Sequence, residues 1–226
     1  MRKLDEKELE LVQQAISLKN IGLVELLAEI YDHYLSHLEQ ASPDDFNQEL
    51  NTLEEKFTLK YCKKLEQDLM QISNKEIFQL TCSQIVQLFT WPKAIVTTVL
   101  LISVAAIWPS LPKNVQFILL MILLTNAAIS IGRIWWHSHK KIKFFKSFYK
   151  YDGFLISKHS SSVMLQIHVP FSTFNLFVTL PKVLEIYNVV DTPYFMLVSL
   201  FFFLMWTLIT ISTLKAWKII SKTALI

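Results

Sequence analysis

The sequence predicts an all-α protein: a cytosolic N-terminal helical bundle over residues 1–90, followed by a four-helix transmembrane domain over residues 91–226. Three features predict it. Charge is divided, with nine Lys or Arg against sixteen Asp or Glu in residues 1–90 and thirteen against three in residues 91–226, in a chain of 226 residues and formal net charge +3. Apolar residues make up 52% of the chain; they recur every three or four positions in the first part and fuse into long runs in the second. The first pattern is that of amphipathic helices and the second that of membrane spans. Finally, seven Lys or Arg crowd into residues 133–158 against Asp152 alone. Basic residues in a short loop between spans stay on the cytoplasmic side, so this connector orients everything before and after it.

In the acidic part, Leu9, Val12, Ile16 and Leu18 lie near helical spacing, with Gly22 as a stop signal. Apolar residues at 23, 26, 27, 30, 31, 34, 35 and 38 form a broad stripe, predicting a second helix with Glu25, Glu29, His33 and His37 mostly outside it. Ser42-Pro43-Asp44-Asp45 reads as a helix start, because Ser caps, Pro suits the first position and acids favour the positive end of the dipole. Apolar positions 46, 50, 53, 57, 61, 65, 69 and 72 then predict one long helix to about Ile72, a break at Ser73-Asn74, and another helix from Lys75 to Phe89. The opening MRKLDEKELELVQQ carries charges of both signs and no apolar core, so the first 90 residues are expected to stay untranslocated.

The chain is expected to reach the bilayer at Trp91-Pro92-Lys93. Spans are predicted at about 93–109, 115–135, 161–181 and 193–214, with a basic cytoplasmic loop over 136–160. Span three contains Gln166, His168, Pro170 and Asn175, and parity argues for it. Lys215, Lys218 and Lys222 follow the last span and belong on the same side as the basic loop, which requires an even number of crossings between them. Both termini are then cytoplasmic. Trp91, Trp135, Trp136 and Trp217 fall at the inner interface on this reading, and Trp108 and Tyr194 at the outer one; Trp206 lies mid-span.

Few residues suggest chemistry. Glu29, His33 and His37 stand four apart and could share a metal on one helix face, although a solvated polar face explains them more simply. His137 and His139 flank the basic loop and could titrate near neutral pH. Within the spans, Asn126 and Ser130 lie one turn apart beside the small-x3-small pair Ala128 and Gly132, which suits close helix packing. His168 and Asn175 in span three are intramembrane polar candidates. Cys62 and Cys82 match no zinc or redox spacing and read as reduced thiols. Three glycines are too few for a phosphate-cradling loop, and no catalytic motif is present. No cofactor and no nucleic acid are expected.

The basic connector alternates Arg133, Lys140, Lys141, Lys143, Lys146 and Lys150 with Phe144, Phe145, Phe148, Tyr149 and Tyr151. That pattern suits a helix on anionic lipid and equally suits docking against the acidic bundle. At Leu18-Lys19-Asn20-Ile21-Gly22, Glu29-Ile30-Tyr31-Asp32-His33-Tyr34 and Glu39, with the Phe46, Leu50, Phe57 helix after them, the chain resembles small bacterial membrane proteins carrying a HAAS-type or permease-prefix helical domain. The resemblance covers about residues 8–60. It implies a cytosolic signalling or interaction module joined to spans, and no catalytic residue carries over with it. The expected function is therefore that of an inner-membrane binding, regulatory or accessory subunit, with anionic headgroups and a protein partner or second copy as partners. The alternative is a small transporter or channel with a polar path through spans two and three.

Overall fold

The computed structural model describes residues 2–176, 180, 183 and 194–223. The described chain is helical, in the order α1 (Glu6–Ser17), α2 (Val24–Leu38), α3 (Phe46–Lys56), α4 (Leu59–Leu88), α5 (Lys93–Ile107), a 3-10 turn (Trp108–Ser110), α6 (Lys113–Tyr149), α7 (Lys158–Phe174) and α8 (Tyr194–Thr223). Its contacts form two compact units. One comprises Met1–Ser73 with Trp136–Ser161, the other Asn74–Trp135 with Ser162–Leu225. A single boundary at residue 90 was expected. Instead the basic connector belongs to the first unit and the second half of α4 to the second.

In the first unit, α1 opens with a capping box, in which Asp5 accepts from the Glu8 backbone and Glu8 accepts from the Asp5 backbone. Such reciprocal capping satisfies two backbone donors that the first turn leaves open. Arg2 forks onto both Glu8 oxygens at 2.9 and 3.1 Å. The predicted α2 stripe is the core: Leu23, Leu26, Leu27, Ile30, Tyr31, Tyr34 and Leu38 are buried and Leu35 packs against them. Val12 and Ile16 of α1 and Phe46, Leu50 and Leu53 of α3 close over it. Asn20, rather than Gly22, takes the left-handed conformation after α1 (φ 47°), which an Asn side chain tolerates. The helix after Ser42-Pro43 starts at Phe46, since Ser42 and Asp45 bond to each other in a turn.

The break predicted at Ser73-Asn74 lies elsewhere. The chain interrupts at Phe57-Thr58, where Phe57 leaves helical geometry and the Thr58 hydroxyl accepts from the Tyr61 N–H as a new cap. α4 then runs unbroken through Ser73, which is fully buried. Glu66 of α4 accepts from the N–H groups of Gly22 and Leu23 and from Lys63 Nζ. It thereby serves the entry to α2, whose own N-cap residue Leu23 provides no side-chain cap.

Tyr34 is fully buried, and its hydroxyl has no hydrogen-bond partner among the described residues. Burial raises its phenol well above the ordinary range, and nearby Glu54 and then Cys62 push it further. A tyrosine raised in the folded state stabilises the fold fully below its unfolded value of about 10, and that contribution is lost as pH rises through the folded value. Tyr34→Phe is therefore expected to be neutral or stabilising by ~1 kcal/mol at pH 7, because it removes an unpaired hydroxyl. It should also blunt the loss of stability above about pH 10. Thermal unfolding of the full chain in micelles at pH 8 and pH 11 checks both; a variant that melts earlier at both values would contradict the burial argument.

In the second unit, Ile77, Trp108, Leu120, Leu124, Ala127, Ile134, Val163, Ile167, Leu200 and Trp206 form a second core. Trp108 lies 5.0 Å from Phe203, and Phe171 lies 5.8 Å from Trp206, centroid to centroid. Gln166 of α7 joins α7 to α4: its Oε1 accepts from the Thr81 hydroxyl at 2.9 Å and its Nε2 donates to the Asn74 carbonyl at 3.3 Å. Three helices are long and apolar enough to cross a membrane: Lys93–Ser110, Lys113–Tyr149 and Leu197–Ile220. They match the first, second and fourth expected spans. The described part of the third, α7, is not among them, and residues 177–179 and 181 of that expected span lie outside the described residues. Trp108, expected at an interface, is buried.

Candidate functional site

The basic connector is two-sided. α6 does not stop at the end of its apolar run but continues through the lysines to Tyr149, since nothing between Gly132 and Tyr149 breaks a helix. One side of this extension packs on the bundle. Ile142 is buried there, Phe145 and Tyr149 pack against the same core, and the Tyr149 ring lies 4.6 Å from that of Tyr31. Burial, with Tyr31 and Asp32 nearby, raises the Tyr149 phenol.

α6 is closed off by Lys150, whose φ of 49° is left-handed, and the Tyr151 N–H turns back to the Lys146 carbonyl at 3.0 Å. This is the six-to-one closure of a helix C-terminus. The chain then lies along the segment before α2. Tyr151 is buried and its hydroxyl donates to the Ile21 carbonyl at 2.8 Å. Gly153 is required by space, because a Cβ there would run into the Tyr151 ring. Ile156 donates to Gly22 O at 2.9 Å and accepts from Val24 N–H at 3.0 Å, so that Leu23 and Ile156 form a parallel bridge. Glu25 completes the clamp: its carboxylate accepts from Ser157 Oγ at 2.7 Å and from the Lys158 N–H at 3.1 Å, at the start of α7. A carboxylate at that position suits the positive end of the helix dipole.

The other side carries the lysines. Lys140 lies 5.5 Å from the centre of the Trp136 ring, a cation–π geometry. Phe144 and Phe148 are exposed and stack on each other at 6.4 Å. Trp136, Lys140, Phe144 and Phe148 are each four apart and so make one stripe along the helix. Lys143 and Lys150 are exposed and Lys146 half-buried, and none of the three forms an ion pair among the described residues. Arg133 is exposed in the second unit; Lys141 lies in the helix, with its side chain outside the described part. Between α1 and the connector an open polar groove of about 460 Å³ is lined by Glu10, Gln13, Asn20, Lys150 and Asp152. Docking on the bundle, one of the two uses the sequence leaves open for the connector, is made by rings, backbone pairing and one carboxylate on a helix start, with Lys143 and Lys150 left exposed.

The remaining sequence candidates do not converge. His37 pairs with Glu49 of α3 at 2.7 Å, His33 sets its ring edge-on against Phe57 and Glu29 is exposed. No group of three His, Cys, Asp or Glu able to hold a metal occurs among the described residues. The polar residues expected inside the spans bond within their own helices: Ser130 donates to Asn126 O at 2.8 Å, Asn175 to Phe171 O at 3.1 Å, and His168 faces Ser172 at 3.5 Å. Asn126 and His168 are exposed. Among the described residues, nothing lies within 4 Å of where a Cβ on Gly132 would sit, so the Ala128-x3-Gly132 pattern makes no close helix contact with them there. Gln166, also in the expected third span, does join helices. Cys62 is buried, with its thiol raised chiefly by burial.

Compared with known proteins, no family model matches the chain, and no curated protein or solved structure is significantly similar to it.

Proposed function

We propose that this is a multi-pass protein of a bacterial cytoplasmic membrane, with four spans and both termini in the cytoplasm, that works by binding. Its N-terminal unit is a prefix-type interaction module that serves as a regulatory or accessory subunit, and its partner is an acidic protein surface. The observation that carries this reading is the outward stripe of Trp136, Lys140, Phe144 and Phe148 with Lys143 beside it, on a helix whose other side is already occupied. Exposed rings flanked by unpaired lysines supply apolar contact and charge complementarity at once. Anionic lipid suits the lysines as well. However, α6 is unbroken over 37 residues, about 55 Å at ~1.5 Å per residue, whereas a span uses only about 30 Å. Phe144 and Phe148 come ten and fourteen residues after Ile134, where the apolar run ends, about 15 and 21 Å along the helix at ~1.5 Å per residue, which favours a protein partner for that end. Residues 161–181 as the third crossing rest on the parity of the flanking lysines. A transport path through Asn126, Ser130, His168 and Asn175 gains no support from bonds kept within single helices.

A photo-cross-linking residue placed at Phe144 or Phe148 of the full chain, in native membranes, tests the proposal. We expect one protein to be captured at both positions and only lipid at Val99. Each surface lysine contributes ~0.2–1 kcal/mol, so changing the exposed Lys140 and Lys143 and the half-buried Lys146 together to Glu should cut capture by about tenfold. Lipid adducts alone at 144 and 148, or capture indifferent to the lysines, would overturn it.

A further inference from the structure

The second half of α4 lies in the second unit with the span-grade helices, and its residues divide into three faces. Ile77 and Thr81 are buried, and Leu80 packs against the second core. At ~100° per residue, Phe78, Cys82, Ile85, Val86 and Phe89 fall on a different arc. Phe78 is 61%, Val86 63% and Phe89 44% exposed, and Cys82 and Ile85 are half-exposed. Gln79, Ser83 and Gln87 occupy the third arc and are exposed. No charged residue occurs between Glu76 and Lys93. This helix leads through the exposed Trp91 directly into α5, whose Ile95, Val96, Val99, Leu100 and Ile102 are all exposed.

We infer that residues 77–88 of α4, with Phe89 and Thr90 in the turn that follows, form a lipid-contacting segment, sunk to half its depth at the boundary between headgroups and acyl chains. Phe78, Cys82, Ile85, Val86 and Phe89 meet the acyl chains, and Gln79, Ser83 and Gln87 meet the headgroups and water. A helix with one apolar and one polar free face, lying beside a span, has that boundary as its natural environment. The missing charges point the same way, since a helix facing bulk water would gain solubility from Lys or Glu among its outer residues, and this one has only uncharged amides and a hydroxyl there. A protein partner on this face would not need the sixteen charge-free residues between Glu76 and Lys93; lipid contact requires them, because the chain passes from one helix to the other at Trp91 without leaving the interface. The inference rests on α5 lying in the membrane, as proposed above, and extends lipid contact upstream of Trp91.

The test uses the full chain with Cys62→Ala and Cys82→Ala, carrying one nitroxide-labelled cysteine at a time, in vesicles of phosphatidylethanolamine and phosphatidylglycerol at 3:1. Collision with oxygen, which concentrates in acyl chains, is compared with collision with a water-soluble nickel chelate. Phe78→Cys and Val86→Cys are expected to favour oxygen, as Val99→Cys in α5 does, and Gln79→Cys and Ser83→Cys to favour nickel. In the unsubstituted chain, Cys82 should resist a charged maleimide in vesicles and react after addition of dodecyl sulfate. If 78 and 86 favour nickel while 99 favours oxygen, the inference fails and the membrane reading of α5 survives. If 99 favours nickel as well, both fail. Protection from both reagents at 78 and 86 would put a protein on this face, and oxygen preference at 79 and 83 would put the helix wholly inside lipid; either overturns the inference.

Discussion

Tyr151→Ala is expected to destabilise the first unit by about 3–5 kcal/mol, the usual cost of removing a large buried aromatic side chain. Tyr151 is buried in the bundle core and its hydroxyl donates to Ile21 O at 2.8 Å, so the alanine leaves both a cavity and an unpaired carbonyl. Tyr151→Phe keeps the ring and loses only the hydrogen bond, for which ~1 kcal/mol is expected. The gap between the two variants separates packing from hydrogen bonding. Cys62 provides a readout in the full chain in micelles, because it is buried in the same core and reacts with maleimide only when that core opens. For Tyr151→Ala, labelling at neutral pH should accelerate by about two to four orders of magnitude, the equivalent of that free-energy loss where opening is a pre-equilibrium. Unchanged labelling would mean that the connector does not pack on the bundle. The outward lysine stripe would then lose the buried side that defines it.

The second large effect belongs to Glu66. Its carboxylate accepts from two backbone N–H groups, those of Gly22 and Leu23, and from Lys63 Nζ, and its side chain is 13% exposed. Glu66→Ala strands two donors ahead of α2, and about 2–4 kcal/mol of destabilisation is expected from charge-assisted bonds lost at a mostly enclosed site. Glu66→Gln keeps an acceptor oxygen but not the charge, and should cost about half as much. Urea unfolding of the full chain in micelles, followed by Cys62 labelling, orders the three proteins. If the glutamine variant proved as damaging as the alanine, charge rather than backbone satisfaction would be the main contribution. The same segment also bonds to Ile156 of the connector, so Glu66→Ala should loosen the connector as well as α2.

How legible these features are in the sequence differs residue by residue. The α2 stripe is readable because seven of its eight apolar positions point into one core and the eighth packs on its edge. The α3–α4 break is not, because Leu53, Phe57 and Tyr61 keep a spacing of four across it while Thr58 starts a new helix between them. Ser73-Asn74 reads as a break from polarity alone, yet Ser73 is fully buried inside α4. Gln166 reads as an awkward polar residue in an apolar run, and its partners Thr81 and Asn74 are more than eighty positions away. The charge-free run between Glu76 and Lys93 was visible throughout. It is overshadowed by the more apolar stretch after Trp91.

Composition, periodicity and charge distribution settle the helical class, the apolar runs at about 93–109, 115–135 and 193–214, and the concentration of lysines between them, because each is a local property summed along the chain. Which face of the basic connector is occupied is another matter. That depends on Tyr151 reaching Ile21, Ile156 pairing beside Leu23 and Glu25 meeting the start of α7, contacts across some 130 positions. Long-range attraction between an acidic segment and a basic one specifies no particular atoms. Shape, buried rings and backbone donors in need of acceptors do, and they exist only once the helices have come together.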